Sequence, residues 1–121
     1  VAVAGSALGF MPRVHLDDEL EDAVPEVILE NLVAAMREGL ANIVRHAHAT
    51  AAEVSIVREG DDLVLTVTDD GVGLFPGDRR SGLANLEQRA KSLGGSFTTE
   101  PVRRDGFGTR LIWRVPLPQF P

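Results

Sequence analysis

Cysteine and tyrosine are absent from the 121 residues, and tryptophan occurs once. Without cysteine, disulfides and thiolate metal centres are excluded, and the composition fits a reducing compartment such as the cytoplasm. No stretch approaches the roughly 18 uninterrupted apolar residues of a membrane span, and no basic start leads into a signal-type apolar core. Basic residues are the minority, 12 Lys and Arg against 18 Asp and Glu, for a net charge of -6. That balance argues against nucleic acid and anionic membranes as partners, although a local site can still hold an anion. A chain of this length suits one compact domain that buries roughly 65 to 70% of its unfolded surface. Its start at Val1 rather than Met leads to the expectation of a piece of a longer protein. Residues 1–12 read as a linker from an upstream region and 13–121 as the domain itself.

Hydrophobic spacing predicts the elements. Arg13 to Leu16 alternates and reads as a short edge strand; the acidic run Asp17 to Asp22 reads as a solvated loop. From Pro25 to about Ala47 the apolar residues Leu29, Leu32, Val33, Met36, Leu40, Ile43, Val44 and Ala47 recur every three or four positions, the mark of a long amphipathic helix with Pro25 in its first turn. Ala52 to Arg58 and Leu63 to Asp69 alternate around Glu59-Gly60-Asp61-Asp62, as a β-hairpin does. Gly82 to Leu93 has helical spacing and is stopped by Gly94-Gly95. Ser96 to Glu100 and Phe107 to Val115 read as two further strands. This order predicts an α+β class, with helices packed on one face of a largely antiparallel sheet.

Two polar groups stand out. Asp69-Asp70-Gly71-Val72-Gly73 closes a strand with an acid and two glycines. An ionised Asp only accepts hydrogen bonds, so it can select an exocyclic amino group such as that of adenine. The glycines let backbone approach a flat ring or a phosphate closely. By itself the run also suits a tight turn, whereas a calcium loop lacks its alternating ligands and terminal Glu. The second group lies on the long helix, where Glu38 and Asn42 are one turn apart beside the apolar stripe, followed by Arg45 and His46. An amide oxygen suits magnesium, and a neighbouring carboxylate can orient its water or help take a proton; a solvated helix face is the simpler alternative.

Together these segments resemble the ATP-binding catalytic domain of sensor histidine kinases. Glu38-Gly39-Leu40-Ala41-Asn42-Ile43-Val44-Arg45-His46-Ala47 is similar to their N box and Asp69 to Gly73 to their first glycine box. Arg80-Ser81-Gly82-Leu83-Ala84-Asn85-Leu86-Glu87-Gln88-Arg89-Ala90 resembles the second glycine box, and Gly106-Phe107-Gly108-Thr109 the last. The Arg-His-Ala form of the N box and the short lid resemble the subgroup that pairs with NarL-type response regulators, the mycobacterial haem-sensing kinases above all.

The resemblance implies a two-layer α/β sandwich of the Bergerat type around a mixed, largely antiparallel sheet. It implies ATP and Mg2+ as cofactors, Asp69 as acceptor of the adenine amino group with Thr109 supporting it, and Gly71 and Gly73 lining the base pocket. Asn42 would hold magnesium against the triphosphate and Glu38 would act catalytically on a water or the metal's surroundings. Arg45, His46 and Arg80 would neighbour the phosphates, as would Arg79. The start of the second helix adds a physical argument, because open N–H groups at Gly82 and Leu83 form an anion site. The implied partners are an upstream dimerisation and phosphoacceptor domain, a second copy in the intact homodimer, and a NarL-type regulator. None of His15, His46 and His48 has the context of a phosphoacceptor. Asp70 replaces the common Asn and Arg80 the first glycine of the lid motif, which raises the expectation of a second negative charge near the nucleotide and a stiffer or closed lid. A serine kinase of the anti-sigma-factor kind, gyrase-like and MutL-like ATPases, and a non-catalytic module holding nucleotide, or zinc on His46 and His48, are the alternatives.

Overall fold

The fold is known from a computed structural model that describes residues 12–17, 20, 24–43, 50–71, 80–104 and 108–118, with the side chains of residues 80–82 left aside. Five strands and two helices are ordered β1 (Arg13–Leu16), α1 (Glu26–Asn42), β2 (Ala52–Glu59), β3 (Asp62–Asp69), α2 (Arg80–Ser92), β4 (Ser96–Pro101) and β5 (Thr109–Pro116). The sheet order is β1-β2-β3-β5-β4. Only the β1–β2 pairing is parallel; the others are antiparallel.

Strand alternation decides what the helices cover. Val54, Leu63, Leu65, Val67, Leu111, Trp113 and Val115 are buried and join Ile28, Leu32, Ala35, Leu40, Leu86 and Ala90 of the helices in one core. The opposite sheet face carries paired charges: Arg114 bonds Glu59 at 3.2 Å and Asp62 at 3.1 Å, and Arg110 bonds Glu100 at 3.0 Å. Exposed pairs of this kind contribute little to stability. Trp113 sends its indole N–H to the Leu86 carbonyl at 3.2 Å, tying α2 to β5 inside the core.

Several expectations shift. Pro25 stands at the N-cap in extended conformation (φ -60°, ψ 154°) rather than inside the first turn. The α-helix runs to Asn42, with Ile43 still in αR, and the expected continuation to Ala47 lies outside the described residues. The second helix begins at Arg80, two residues earlier than its apolar spacing suggested. β5 begins at Thr109; Gly108 before it adopts φ +77°, which ends the regular strand there. The stretch after β1 is not simply a solvated loop: Asp17 donates to the Ile56 carbonyl at 3.0 Å, and Leu20 is in the core.

Glycine closes the second helix. Gly94 (φ +79°) donates to the Lys91 carbonyl at 3.0 Å and Gly95 to the Ala90 carbonyl at 2.8 Å, the two bonds of a Schellman cap. A Cβ on Gly95 would lie 1.9 Å from the Arg114 carbonyl oxygen, against backbone that cannot rotate away. A Cβ on Gly60 (φ +61°), in the β2–β3 turn, meets nothing within 4 Å. Gly95→Ala is therefore expected to cost about 3 kcal/mol, and Gly60→Ala only the left-handed backbone cost of about 1 kcal/mol. Urea denaturation of both variants checks the ranking; equal losses would contradict the close approach.

Candidate functional site

The helix is seated so that its polar residues reach the end of the sheet. Leu32 shares an apolar pocket with Ile56, whose ladder partner is Leu65. Seven residues on, Gly39 lies so close to β3 that a Cβ there would be 3.1 Å from Val67 Cγ2. Contact thus advances along α1 and β3 in the same direction. Asn42, about 4.5 Å further along the helix, and Asp69, about 7 Å beyond Val67 on the same strand face, come to the same end of the core.

That end is polar although buried. Asn42 is 1% exposed, Asp69 4% and Thr109 1%, and these are the buried polar or charged residues among those described. Asp69 is held on both sides, opposite Ala52 on β2 and Thr109 on β5. Its Oδ1 accepts the Gly71 N–H at 2.8 Å, an Asx turn that fixes the carboxylate as the strand ends. Gly108 donates to the Gly71 carbonyl at 2.8 Å and accepts from the Val102 N–H at 3.3 Å, so the first and last glycine motifs meet. Gly108 is required there: a Cβ would lie 2.9 Å from Val102 Cβ and 3.0 Å from the Asp69 carbonyl oxygen, at positive φ. Both polar atoms of the Asn42 side chain and the Thr109 hydroxyl have no hydrogen-bond partner among the described residues. Such groups cost about 1–3 kcal/mol each when left unpaired.

Glu38 sits one turn before Asn42, half-buried and engaged in an interaction of its own. The early start of α2 places Gly82 in the first turn, where N–H groups are open. Leu83 is the fourth helical residue, and its side chain packs against the core. Arg45, His46, His48, Gly73, Arg79, Gly106 and Phe107 lie outside the described residues, as do the side chains of Arg80 and Gly82.

Asp70, expected to bring a second negative charge near the nucleotide, has its carboxylate engaged by the chain itself. Its Oδ1 accepts the N–H groups of Thr50 at 2.8 Å and Ala51 at 2.9 Å, and its Oδ2 accepts the Thr50 hydroxyl at 2.6 Å. Its own N–H donates to the Ala51 carbonyl at 3.3 Å. The Thr50 hydroxyl, above all, holds the carboxyl below the usual carboxylate range. Thr50 and Gly108 are the positions that sequence reasoning did not assign. Gly108 could have been found from its place in the last glycine motif; Thr50 carries no local signal.

A buried acid, an amide and a hydroxyl are gathered by a helix and two strand ends in a layer of helices on a sheet, and the comparisons say which family builds this. Residues 28–119 match the family model described as "Histidine kinase-, DNA gyrase B-, and HSP90-like ATPase", and the chain belongs to that family. Its sequence is similar to the signal transduction histidine-protein kinase/phosphatase UhpB of Salmonella typhimurium, 36% identical over 87% of this chain and 20% of that protein. It is also similar to the nitrate/nitrite sensor protein NarX of Escherichia coli, 31% identical over 82% of this chain and 17% of that protein. The solved ATP-binding domain of PrrB from Mycobacterium tuberculosis matches with a TM-score of 0.67 and 27% identity, over 98% of this chain and 90% of that one. The chain therefore spans about a fifth of the curated relatives named here and nearly all of an isolated ATP-binding domain.

The Asp70 bonds have a pH signature. Its folded-state pKa lies below the ordinary Asp value, so the unfolded chain binds the proton more readily. The stabilisation is present above that value and lost as pH falls through the lower folded pKa. Asp70→Ala is expected to lower the urea midpoint at pH 7, with the difference from the unaltered chain closing below about pH 3.8. A pH-independent difference would contradict it.

Proposed function

We propose that this chain binds ATP with magnesium and donates the γ-phosphoryl group to a His on a separate dimerisation domain of a two-component sensor kinase, for relay to a NarL-type response regulator. The observation that carries the reading is the buried polar end of the core. Asn42 and Thr109 present unpartnered polar atoms beside a carboxylate pinned between two ladders. A fold retains such groups where a ligand completes them.

Asp69 accepts the adenine amino group, and a base bearing a keto oxygen there is refused for lack of a donor. Thr109 lies directly across the ladder, so its hydroxyl reaches the same base edge or a water on it. Gly71 and Gly73 give the ring room. The Asn42 amide oxygen is a hard, neutral donor that fits magnesium. Magnesium usually keeps several waters and is shared between one or two protein oxygens and substrate phosphates. Bound there, magnesium would neutralise charge on the triphosphate. Glu38 orients a water from one turn away, Gly82 and Leu83 stand at the anion-attracting start of α2, and Arg45, His46 and Arg80 serve the phosphates. In the transfer, the bond from the β–γ bridging oxygen to phosphorus breaks, ADP departs, and a bond forms from a His ring nitrogen to phosphorus. This domain contributes position and charge complementarity to that step.

The phosphoacceptor is supplied by the longer protein, as a homodimer. No described helix is long and apolar enough to cross a membrane, and a cytoplasmic site supplies ATP. Val14, Leu16, Val27 and Leu29, exposed along β1 and the start of α1, give the upstream region an apolar surface to pack on. The likeness to NarX supports a regulator of the NarL type.

Asp69→Asn is expected to weaken binding of a non-hydrolysable ATP analogue with magnesium at least about 30-fold, the scale of a lost hydrogen bond to a charge, while keeping the Gly71 contact and the fold. Asn42→Leu is expected to abolish magnesium-dependent binding at little net cost in stability, because the removal of two buried atoms without a partner among the described residues offsets the strain of a bulkier side chain. Calorimetric titration paired with urea denaturation reads both. Undiminished nucleotide binding in Asp69→Asn would overturn the assignment of the base pocket.

A further inference from the structure

β1 stands at one edge of the sheet, and among the described residues no strand pairs with its outer side. Its backbone shows what that side offers. Asp17 donates to the Ile56 carbonyl at 3.0 Å, continuing the parallel ladder, so its N–H faces β2. Main-chain groups alternate sides along a strand, and those of Arg13 and His15 therefore face β2 as well. Val14 and Leu16 turn theirs outward. The side chains of Val14 and Leu16 lie beside buried Val54 and Ile56, on the face that the helices cover, yet are 47% and 60% exposed. Arg13, His15 and Asp17 belong to the other face.

A short edge strand with open main-chain groups and exposed apolar side chains is a template for pairing, and this one is complementary to itself. Among antiparallel registers that set outward groups against outward groups, Val14 opposite Leu16 of a second copy engages every open N–H and carbonyl of both residues. The same register sets Arg13 opposite Asp17 of the second copy, at both ends, and His15 opposite itself on the two-fold axis. Val14 opposite itself would instead set Leu16 against Pro12, which has no N–H. Leu16 opposite itself carries Arg13 past the end of the strand. Asp17 already accepts the Arg58 N–H at 3.5 Å, but a carboxylate has further acceptor sites. The opposite edge lacks this complementarity, because β4 carries an acid, Glu100, and no base.

We infer that β1 is a self-association edge: a second copy of this chain adds its own β1 antiparallel, with Val14 against Leu16 and Arg13 against Asp17. This goes beyond the ATP-binding reading and does not depend on it. The same patch meets itself across a two-fold axis, so the contact closes as a pair. It covers the edge of β1 and leaves Val27 and Leu29 on α1 to the upstream region. One short strand per copy places it among weak, transient contacts.

The test is sedimentation velocity of the 121-residue chain from micromolar to millimolar concentration, with NMR on the same dilution series, at about pH 8 where histidine is ordinarily neutral. A dimer is expected to form as concentration rises, with the Val14 and Leu16 amide signals shifting. Val14→Lys, at a half-exposed position whose N–H faces away from β2, is expected to keep the fold and weaken association at least about tenfold. Arg13→Glu alone and Asp17→Arg alone each set like charges together at both ends, and each should weaken association about fivefold or more. Mixing those two chains brings opposite charges together at both ends and should recover most of that loss. A monomer at millimolar concentration overturns the inference, as does undiminished association in Val14→Lys. Dilution shifts confined to β4 move the contact to the other edge and overturn it too. So does a mixture that fails to associate although circular dichroism shows both chains folded. Should Asp17→Arg not fold, Val14→Lys still decides.

Discussion

The fold places three polar side chains, Asn42, Asp69 and Thr109, at one end of an otherwise apolar core, and much of the local architecture exists to hold them there. Desolvating a carboxylate, an amide and a hydroxyl opposes folding. The opposing contribution comes from the rest of the interior, where Trp113, Leu63, Leu65, Leu86, Val54 and Val115 are completely enclosed. Two glycines make the arrangement sterically possible. Gly39 lets α1 settle onto Val67, and Gly108 lets the approach to β5 pass against Val102 and the Asp69 carbonyl.

The described part of the site is built into regular structure. Asp69 and Thr109 are ladder residues, so the end assigned to the base is as firm as the sheet. Asn42 is fixed by helix packing. Arg45 and His46, proposed for the phosphates, lie outside the described residues. Asp70, at the end of β3, ties Thr50 at the entry to β2 back to the sheet.

Much of this was legible in the sequence, for identifiable reasons. The period of Leu29, Leu32, Met36, Leu40 and Ile43 gave away α1, and the alternation on either side of Gly60 gave away the hairpin. The four motifs in order gave the family that the match over residues 28–119 establishes. Other features depend on distant partners and left no local trace. Leu20 sits in an acidic run yet is buried, because Asp17 continues the pairing with Ile56 and turns the chain inward. The parallel pairing of β1 with β2 cannot be told from alternation alone. Nor does alternation reveal that Asp70 collects three donors from Thr50 and Ala51, 20 and 19 residues upstream.

The most direct test follows the Asn42 side-chain amide and the backbone amides of Gly71, Gly108 and Thr109 by NMR while ATP and magnesium are added to the chain. The expected result is a saturable shift of all four sets of signals, with the Asn42 amide responding only when magnesium and the phosphates are both present. No shift of these signals at millimolar nucleotide, or an Asn42 response that does not depend on magnesium, would contradict the account.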